Sequence, residues 1–403
     1  MLDEAVRGRL RAAGERQMAA TVDFCQRLIR QPSMPGEEGA LARLVLAELG
    51  RLGYDDAWID RGGNVIGVVR GSGGGRSLML NTHLDHVGVG DPAEWPHHPF
   101  AAEIADGVLY GRGASDIKGA LAPQVYAAAV LREAGLRPAG DLYVTAVVQE
   151  EVGGLGARIL VEEVWTDAAI LGEATSNHVR RGHRGRIGMW AEFTGIAAHA
   201  SAPERGANPH YALGRFLTAL AGLPMRADAT FGGSTVAPTI VHSNNESSNV
   251  IPDGVRLFLD WRNIPDETPE DVVATVRALL DRALGERVGG VIRQGESTTR
   301  TYTGVEESGV AVNPAYALPA DHPLVTGAQA TLAELYGRPI EVGTWAFATD
   351  GGWLMGAGID TIGFSPCEEH FAHTIHDQIA LPMLQEGLIG YAALALALTE
   401  ERG

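Results

Sequence analysis

Apolar residues recur at helical spacing near both ends of the chain. Between residues 10 and 52 they return every three or four positions, with one interruption at residues 31–38, where two prolines mark a loop. The same spacing predicts helices over residues 119–134 and 323–336, and a longer helix over residues 381–398. The first and last parts of the chain are therefore predicted to be rich in helix.

Short apolar runs lie before and after the helix predicted over residues 119–134, and they predict β-strands. They cover residues 64–69, 77–80, 142–148 and 168–171. A glycine-rich stretch at residues 71–75 separates the first two runs and predicts a hairpin turn, because it lacks the Gly-Lys-Ser/Thr of a phosphate loop. Strands that alternate with helices at this interval predict an α/β domain whose sheet is mostly parallel and covered on both faces.

The pattern changes over residues 184–312. Strand-like alternation of apolar and polar positions is mixed there with two helical segments, near residues 211–220 and 269–284. We expect this segment to form a separate α+β domain inserted into the first one. The first domain then comprises residues 1–183 and 313–403, where the helical and strand pattern of the opening segment returns.

Composition agrees with two domains and excludes some functions. A chain of 403 residues with 45% hydrophobic positions exceeds the usual size of one domain. Its formal net charge of −18 argues against nucleic acid as a partner, because affinity for the phosphate backbone comes mainly from clustered Lys and Arg. The acidity is better explained by solubility than by a cationic substrate.

The sequence also predicts a cytoplasmic location with no membrane partner. No opening segment has the pattern of a secretion signal, and no apolar run approaches the roughly 18 residues that would span a bilayer. Cys25 and Cys367 are too few for a disulfide framework and lack the spacing of a thiolate zinc site. Any metal must therefore be held by histidine and carboxylate side chains.

Ionisable residues follow three of the predicted strands directly. In chain order they are His83 with Asp85, Glu150 with Glu151, and Glu173. Open α/β sheets bind ligands at the carboxyl ends of their strands, so these side chains are expected at one edge. Each alone has a structural explanation, but together they would repel one another unless a cation neutralised them.

Histidine and carboxylate oxygens are the ligands expected for zinc, and cobalt or manganese are tolerated by the same donors. In the extended run His83, Leu84, Asp85 the two polar side chains share a face, so the Asp85 carboxylate is expected to accept the imidazole N–H and orient His83. Glu150 and Glu151 are consecutive and would point in opposite directions in an extended chain. One can then bind metal while the other faces the substrate.

Seven segments in this order resemble motifs of one known family. They are NTHLDHV around His83, YGRGASDIKGA around Asp116, VVQEEVGG around Glu150, LGEAT around Glu173, AAHASAPERGANP around His199, NVIPDGVRLFLDWR from Asn249 to Arg262, and FAHTIHDQI around His373. Over essentially its whole length the chain resembles the M20 family of dinuclear zinc metallopeptidases and acylases. That family includes acetylornithine deacetylase, succinyl-diaminopimelate desuccinylase, aminoacylase and carboxypeptidase G2 types.

The resemblance implies a site for two zinc ions, with cobalt or manganese as substitutes. Asp116 would bridge the two ions. His83 and Glu173 would complete one site, and Glu151 and His373 the other. The resemblance also implies a cis peptide bond after the bridging aspartate.

The remaining assignments near the metals concern the base and the last ligand. Glu150 would be the catalytic base, which takes a proton from water and passes it to the leaving amine. His373 follows Ala372 and precedes Asp377 as the family pattern requires, although relatives commonly have Glu in place of Asp377. His370 stays open as an alternative ligand.

The inserted domain would correspond to the ferredoxin-like dimerisation lid of the family. In dimeric members a lid histidine enters the active site of the other subunit and steadies the oxyanion, and His199 lies in the matching motif. The resemblance therefore implies a homodimer. Arg262 and Asn249 would bind the substrate, and the planar guanidinium of Arg262 suits a carboxylate.

We expect a hydrolase that removes the acyl group from an N-acylated amino acid, with a dipeptidase or carboxypeptidase acting on short peptides as the alternative. Desuccinylases carry an Arg shortly after a motif that here reads Thr349, Asp350, and its absence disfavours a succinyl group. An uncharged acyl group fits better if Trp345, Phe347 and Trp353 line the pocket.

Two other enzyme classes are disfavoured. The glycines of residues 152–156 have the wrong spacing for a dinucleotide fingerprint, and the preceding Glu150 and Glu151 would repel a pyrophosphate, which argues against a nicotinamide oxidoreductase. Ser115 does not form a nucleophile elbow, which argues against a serine hydrolase.

Overall fold

The short apolar strands form the centre of the molecule. The computed structural model describes residues 2–400, and in that range nine strands form the main sheet. Numbered in chain order, they are β1 (Asp56–Ile59), β2 (Val65–Val69), β3 (Leu78–His83), β6 (Leu142–Val147), β7 (Ala168–Leu171), β8 (Val179–His183), β20 (Tyr316–Ala317), β21 (Val342–Trp345) and β22 (Asp360–Gly363).

The main sheet has parallel strands in its centre and antiparallel pairs at its sides. Its order is β1-β2-β6-β3-β7-β22-β8-β20, and β21 also pairs with β8. Strands β6, β3, β7 and β22 run parallel to one another, whereas β1, β2 and β20 pair antiparallel with their neighbours. The carboxyl ends of β6, β3 and β7 therefore meet at one edge.

The glycine-rich stretch at residues 71–75 is not a hairpin turn, contrary to the prediction. Strand β6 lies between β2 and β3, so this stretch crosses the start of β6. A Cβ on Gly71 would lie 2.4 Å from the carbonyl carbon of Gly140. The glycines allow two backbones to pass closely, a tertiary contact that leaves no periodic signal in the sequence.

Nine helices lie within the described residues. They are α1 (Glu4–Arg30), α2 (Gly39–Leu52), α3 (Gly119–Glu133), α4 (Leu155–Glu163), α5 (Pro209–Ala221), α6 (Pro269–Ala283), α7 (Pro323–Tyr336), α8 (Gly351–Gly356) and α9 (Leu381–Thr399). The predicted helices are all present; α1 begins six residues before the predicted start, and the other ends differ by two residues or fewer.

Helices cover both faces of the main sheet, as strand periodicity requires. On β3, Leu78 and Leu80 belong to the core that contains α1, α3 and α9, while Met79 between them packs with α4 and α8. A three-stranded sheet of β4 (Glu103–Ala105), β5 (Val108–Tyr110) and β23 (Gln378–Ala380) lies beside this domain.

Helix α9, Leu381–Thr399, is long and apolar enough to cross a membrane by length and composition, although Gln385 and Glu386 interrupt its apolar run. It packs against α1, α3 and α7, however, and most of it is buried inside the protein. A helix that is enclosed by protein on several sides has apolar residues all round, because no side of it faces water, and the same is true of a helix surrounded by lipid. The cytoplasmic location stays a prediction.

The middle of the chain has a second antiparallel sheet with its own core. Its strands are β9 (Arg186–Thr194), β13 (Thr235–Ser243), β15 (Gly254–Arg262), β16 (Gly289–Gln294) and β19 (Val312–Asn313), in the order β13-β15-β9-β16 with β19 also beside β9. Helices α5 and α6 pack on one face, against side chains such as Met189, Phe193 and Leu257.

The chain leaves the main sheet after His183 and returns to it at Tyr316. Three further strand pairs lie between: β10 (Ala198–His199) with β14 (Val250–Ile251), β11 (Ala227–Asp228) with β12 (Gly232–Gly233), and β17 (Glu296–Arg300) with β18 (Glu306–Val310). The predicted boundaries at 183/184 and 312/313, and the role of the segment as a dimerisation lid, stay predictions.

The β17–β18 hairpin, residues 296–310, connects the second sheet to the first domain. At its tip the Tyr302 hydroxyl donates to the Gly63 carbonyl at 3.0 Å, and the Thr303 hydroxyl donates to the Arg61 carbonyl at 2.8 Å. Gln149 donates from its side chain to the carbonyl of Arg300. The hairpin therefore holds the second sheet close to the carboxyl end of β6.

We predict that Gly63→Ala destabilises the protein by about 1–3 kcal/mol more than Gly73→Ala, because overpacking adds a cost of that size. Both glycines have φ +100°, so the backbone penalty is matched. A Cβ at Gly63 would lie 2.3 Å from Tyr302 Cε1, whereas a Cβ at Gly73 would meet nothing within 4 Å. Chemical unfolding of the two variants measures the difference, and equal losses would show that the hairpin does not press on Gly63.

Candidate metal centre

Adjacent parallel strands bring the predicted residues to one edge of the main sheet. His83 is the last residue of β3, Glu150 and Glu151 follow β6, and Glu173 follows β7. Strand β3 lies between the other two, so its histidine stands between their carboxylates. Asp116 reaches the same place from the segment before α3, and its peptide bond to the next residue is cis, as the family resemblance implied.

The first cluster consists of His83, Asp116 and Glu173, which are all buried. His83 Nε2 lies 3.2 Å from Asp116 Oδ1 and 3.6 Å from Glu173 Oε1. The other ring nitrogen, Nδ1, lies 2.9 Å from the backbone carbonyl oxygen of Asp85. A carbonyl can only accept, so Nδ1 carries the proton and Nε2 keeps its lone pair for the cluster.

The second cluster consists of Asp116, Glu151 and His373. His373 Nε2 lies 2.9 Å from Asp116 Oδ2 and 3.1 Å from Glu151 Oε2. The two oxygens of Asp116 thus face different clusters, which is the arrangement that a bridging carboxylate needs. His370 is in neither cluster, and its ring packs on Phe371 with centroids 3.9 Å apart.

The contact expected of the Asp85 carboxylate is made by its backbone instead. Its Oδ1 lies 3.6 Å from His83 Nδ1, too far for a hydrogen bond. The carboxylate accepts the backbone N–H groups of Glu150 and Glu151, each at 3.1 Å. Asp85 therefore orients His83 through its carbonyl and holds the turn after β6 through its side chain.

The opposite orientation of Glu150 and Glu151 does not come from an extended chain. Gln149 has φ +58°, and the residues after it form a short 3-10 turn. Glu151 turns into the second cluster, whereas the Glu150 carboxylate has no hydrogen bond within residues 2–400 and faces a cavity beside both clusters. The local backbone turn separates the two side chains.

The two clusters bring several carboxylates close together in a buried site. Burial and neighbouring carboxylates raise the pKa of Glu150 well above its usual value, and burial together with Asp116 and Glu151 raises the pKa of Glu173 to about 8. Contacts with Asp116 and Glu151 raise the pKa of His373 to about 10. One buried oxygen of Glu151 has no hydrogen-bond partner among the described residues. This excess of oxygen donors over positive charge fits two divalent cations.

Two buried residues that were not predicted from the sequence to belong to the site support it. In the sequence, Asp377 served only to mark the motif position of His373. In the structure its carboxylate accepts hydrogen bonds from the backbone N–H groups of Gly113 and Ser115, at 2.7 Å each, and so fixes the segment before Asp116. Asn64 accepts from Val148 N at 3.0 Å and donates to the Gly156 carbonyl at 2.8 Å, on either side of the acidic turn. Their motifs carry no signal of these long-range contacts.

A cavity of about 710 Å³ separates the two His-carboxylate clusters from the second sheet. Glu150 lines one wall, and Arg262, the predicted substrate-binding arginine, lines the opposite wall. Of the three aromatic residues expected near the substrate, Phe347 lines the cavity, whereas Trp345 is a core residue whose indole N–H donates to the Ala174 carbonyl at 2.7 Å.

His199 and Asn249 do not line this cavity. Strand β10 pairs with β14, and the backbone N–H of Ala200 donates to the Asn249 carbonyl at 2.9 Å, which brings the two residues together on an exposed part of the second sheet's domain. His199 Nδ1 lies 2.7 Å from Ser201 Oγ. Their roles in the active site of a partner subunit stay predictions.

A sequence model of peptidase family M20/M25/M40 matches residues 79–397. Among curated relatives, the chain is 29% identical to "Uncharacterized protein YgeY" of Escherichia coli (strain K12) over 93% of each chain. It is 28% identical to N-formyl-4-amino-5-aminomethyl-2-methylpyrimidine deformylase of Bacillus subtilis (strain 168) over 84% of each. It is 32% identical to succinyl-diaminopimelate desuccinylase 2 of Ruegeria sp. (strain TM1040), over 60% of this chain and 64% of the relative.

Solved structures show the same fold. Aminopeptidase PepT from Bacillus cereus superposes with a TM-score of 0.75 at 21% identity, over 94% of this chain and 99% of that one. The YXEP protein of Bacillus subtilis, described as a dinuclear metal binding peptidase, superposes with a TM-score of 0.72 at 15% identity, over 96% and 99%. The predicted combination of a mainly parallel α/β domain with an α+β domain is thereby confirmed as a fold class.

We predict that His373→Ala lowers the metal content from about two ions to about one per chain, because it removes one of three protein ligands of a site. His370→Ala is the matched control, since His370 lies three residues away and belongs to neither cluster. Metal analysis of the two purified variants after dialysis shows which of the two histidines is a metal ligand. Metal loss in the His370 variant alone would show that the wrong histidine was assigned.

Proposed function

The chain belongs to peptidase family M20/M25/M40, as its motifs predicted, and we propose that it is a two-zinc hydrolase that cleaves the amide bond of an N-acylated amino acid. One observation carries the proposal. Two His-carboxylate clusters share Asp116, and the free carboxylate of Glu150 stands beside both of them, facing a cavity large enough for a small substrate.

The ligand assignment follows from the two clusters. His83 and Glu173 would hold one ion, Glu151 and His373 the other, and Asp116 both. Zinc suits this donor set best, with cobalt or manganese as substitutes. Bound ions would activate a water molecule and polarise the scissile carbonyl.

Glu150 is the group placed to move protons. No hydrogen bond from residues 2–400 occupies its carboxylate, which faces the cavity beside both clusters and is therefore free to accept a proton from a bound water. We assign it the general base that takes a proton from water and returns it to the leaving amine. Asp85 positions it, since the Asp85 carboxylate holds the Glu150 backbone N–H.

The cavity and the relatives support a deacylase. Arg262 stands on the wall opposite the clusters and suits the carboxylate of an amino acid, and Phe347 offers an apolar surface. Two of the relatives, the deformylase and the desuccinylase, are named for the removal of an acyl group. A succinyl group stays disfavoured because Gly351 and Gly352, rather than an arginine, follow Asp350.

A homodimer is the proposed active unit. Strand β13 forms an edge of the second sheet, and Ile240 and Val241 on it are 44% and 53% exposed. An exposed apolar edge strand is a surface on which a second copy can pair. A partner placed there gives His199 a route to the other active site, where it would steady the oxyanion.

The test is a hydrolysis screen of N-acetyl, N-formyl, N-carbamoyl and N-succinyl amino acids and dipeptides, with the zinc-loaded and the chelated protein. We expect N-acyl amino acids to be cleaved only with metal. Glu150→Gln should lower kcat by about 10²–10⁴-fold, the usual contribution of a general base. It should keep about two ions per chain, because Glu150 is outside both ligand sets.

Glu163→Gln on α4 serves as the control, because Glu163 is exposed and away from the cavity. Hydrolysis that survives chelation would contradict the proposal. Loss of metal in the Glu150 variant would make this residue a ligand instead.

Mixed dimers of two inactive variants test the proposed homodimer more directly. Glu150→Gln and His199→Ala should each be nearly inactive alone. Mixing and reassociating them should restore about a quarter of the wild-type activity, since half of the dimers would be mixed and each would have one intact site. If mixing restores nothing while the two chains do exchange, His199 does not act across the dimer.

A further inference from the structure

The acidic turn, residues 149–153, carries Glu150 and Glu151 and begins in a strained backbone conformation. Gln149 has φ +58° and ψ 35°, in the left-handed region that residues with a Cβ rarely adopt. Glycine or asparagine would occupy this region at lower cost. Such strain persists only where surrounding contacts hold the residue. The contacts of Gln149 therefore help to decide where the two glutamates point.

The side chain of Gln149 bonds to the β17–β18 hairpin, which starts directly after the second sheet's strand β16. Gln149 is 2% exposed, and its Nε2 donates to the backbone carbonyl of Arg300, the last residue of β17. Gly36 lies against this bond, since a Cβ there would be 3.2 Å from the Arg300 carbonyl oxygen and 3.8 Å from Gln149 Nε2. The strained residue is therefore tied to a segment that comes from the other sheet.

Tyr302 fixes the tip of this hairpin on the first domain. Its ring occupies a slot formed by two glycines, because a Cβ on Gly39 would lie 2.8 Å from Tyr302 Cδ2 and a Cβ on Gly63 would lie 2.3 Å from Tyr302 Cε1. The hydroxyl donates to the Gly63 carbonyl at 3.0 Å. The carbonyl of Arg300, two residues earlier in the chain, is thereby held in place for Gln149.

These contacts close a ring around the start of the acidic turn. Asn64, the residue after Gly63, accepts a hydrogen bond from the backbone N–H of Val148 at 3.0 Å. Three short segments are thus joined by three hydrogen bonds, and the ring contains Gly63, Asn64, Val148, Gln149, Arg300 and Tyr302. A displacement of the hairpin tip must therefore displace the entry to the acidic turn.

Asp85 supports the turn in a different way. Its carboxylate holds the backbone N–H groups of Glu150 and Glu151, but it follows β3 and belongs to the same domain as they do. Within residues 2–400, it is Gln149 whose hydrogen bond joins the turn to the hairpin. The position of the turn relative to the second sheet therefore depends on Gln149.

The same hairpin also reaches the cavity. Ser297 and Thr299 of β17 line it, whereas Gln149 and Tyr302 do not. A substrate in the cavity would contact one part of the hairpin, while another part holds the turn that carries the base. Any effect of Gln149 on the reaction must then pass through the two glutamates and not through a contact with substrate.

We propose that Gln149 is a positioning residue, through which the tip of the β17–β18 hairpin sets the orientation of both Glu150 and Glu151. The inference rests on the proposed function, in which Glu150 is the base and Glu151 a metal ligand, and it adds a condition to that function. The turn is in its working position only while Tyr302 occupies its slot. Docking of the hairpin on the first domain therefore controls catalysis and one metal site together.

The first test compares Gln149→Met with the parent protein, both loaded with zinc. Methionine keeps the length of glutamine but has no N–H to donate. We expect kcat for the best substrate of the N-acyl amino acid screen to fall about 10- to 100-fold, the usual loss when a residue that orients a metal ligand is changed. KM should stay within about threefold, because Gln149 does not line the cavity.

Zinc binding gives a second readout that needs no substrate. In competition with a chelator, one of the two ions should be bound about 10- to 100-fold more weakly by Gln149→Met, because Glu151 belongs to its cluster. The ion assigned to His83 and Glu173 should keep its affinity within about threefold, since neither residue is in the turn.

Tyr302→Ala and Tyr302→Phe loosen the hairpin tip without changing Gln149. We expect both to lower kcat and zinc affinity as Gln149→Met does, with alanine having the larger effect. Tyr302→Ala combined with Gln149→Met should lose no more than about threefold beyond the larger single loss, because both changes break the same connection. Tyr302→Phe removes only the hydroxyl, and it keeps the test valid if the alanine variant does not fold.

Gln149→Gly separates the side chain from the strain of the backbone. Glycine adopts a positive φ freely but lacks the amide, so this variant should lose kcat and zinc affinity as Gln149→Met does. Parent-like values in the glycine variant, unchanged values in Gln149→Met, or fully additive losses in the double variant would each overturn the proposal.

Thr298→Ala is the matched control. Thr298 is exposed on the same hairpin, its hydroxyl lies 2.7 Å from Ser308 Oγ on the opposite strand, and it does not line the cavity. Its kcat and zinc affinity should equal those of the parent protein. A loss as large as that of Gln149→Met would show that any change to the hairpin is harmful, which would overturn the particular role of Gln149.

The proposed function fails separately. Weaker zinc binding by Gln149→Met, together with no hydrolysis of any N-acyl amino acid by the wild type, would refute the activity and keep the positioning role. Hydrolysis by the wild type, with kcat and zinc affinity unchanged in Gln149→Met, would do the reverse.

Discussion

Repulsion among four carboxylates at one end of the main sheet is the constraint on which the site depends. Asp116, Glu150, Glu151 and Glu173 lie close together where little water can screen them, and two imidazole rings offset only part of their charge. Such a group is stable only with protons or cations between its oxygens. Asp116 directs one carboxylate oxygen towards each cluster, and this is the geometry that a pair of bridged cations would require.

Buried polar residues outside the clusters hold this arrangement by bonding to the backbone. Asp85 holds the turn that carries Glu150 and Glu151, and Asp377 holds the segment before Asp116. Asn64 holds both sides of the acidic turn from a neighbouring strand. These contacts fix the backbone, so the side chains of the two clusters would lose little conformational entropy on binding metal.

The cavity joins two walls with opposite chemistry. The main sheet supplies carboxylates and imidazoles, while the second sheet supplies the polar side chains of Arg262, Arg186 and Asn313. The β17–β18 hairpin connects the walls through Tyr302 at its tip and through the ion pair of Arg158 with Glu307. A substrate with an amide at one end and a carboxylate at the other would match both walls.

The sequence by itself determined the helices, the central strands, the family and the residues at the strand ends, because periodicity and motif spacing are local properties. It predicted His83, Asp116, Glu151, Glu173 and His373 as one group, and the structure brings them together in two clusters. Their roles, like that of Glu150, stay proposals.

Only the tertiary structure decided which segments meet. It placed β6 between β2 and β3, so the glycines of residues 71–75 form a crossing and not a hairpin. It enclosed the apolar helix α9 within the core, and it gave Asp85 and Asp377 their backbone partners. These outcomes depend on contacts between residues far apart in the chain, and a local pattern of polar and apolar positions does not record them.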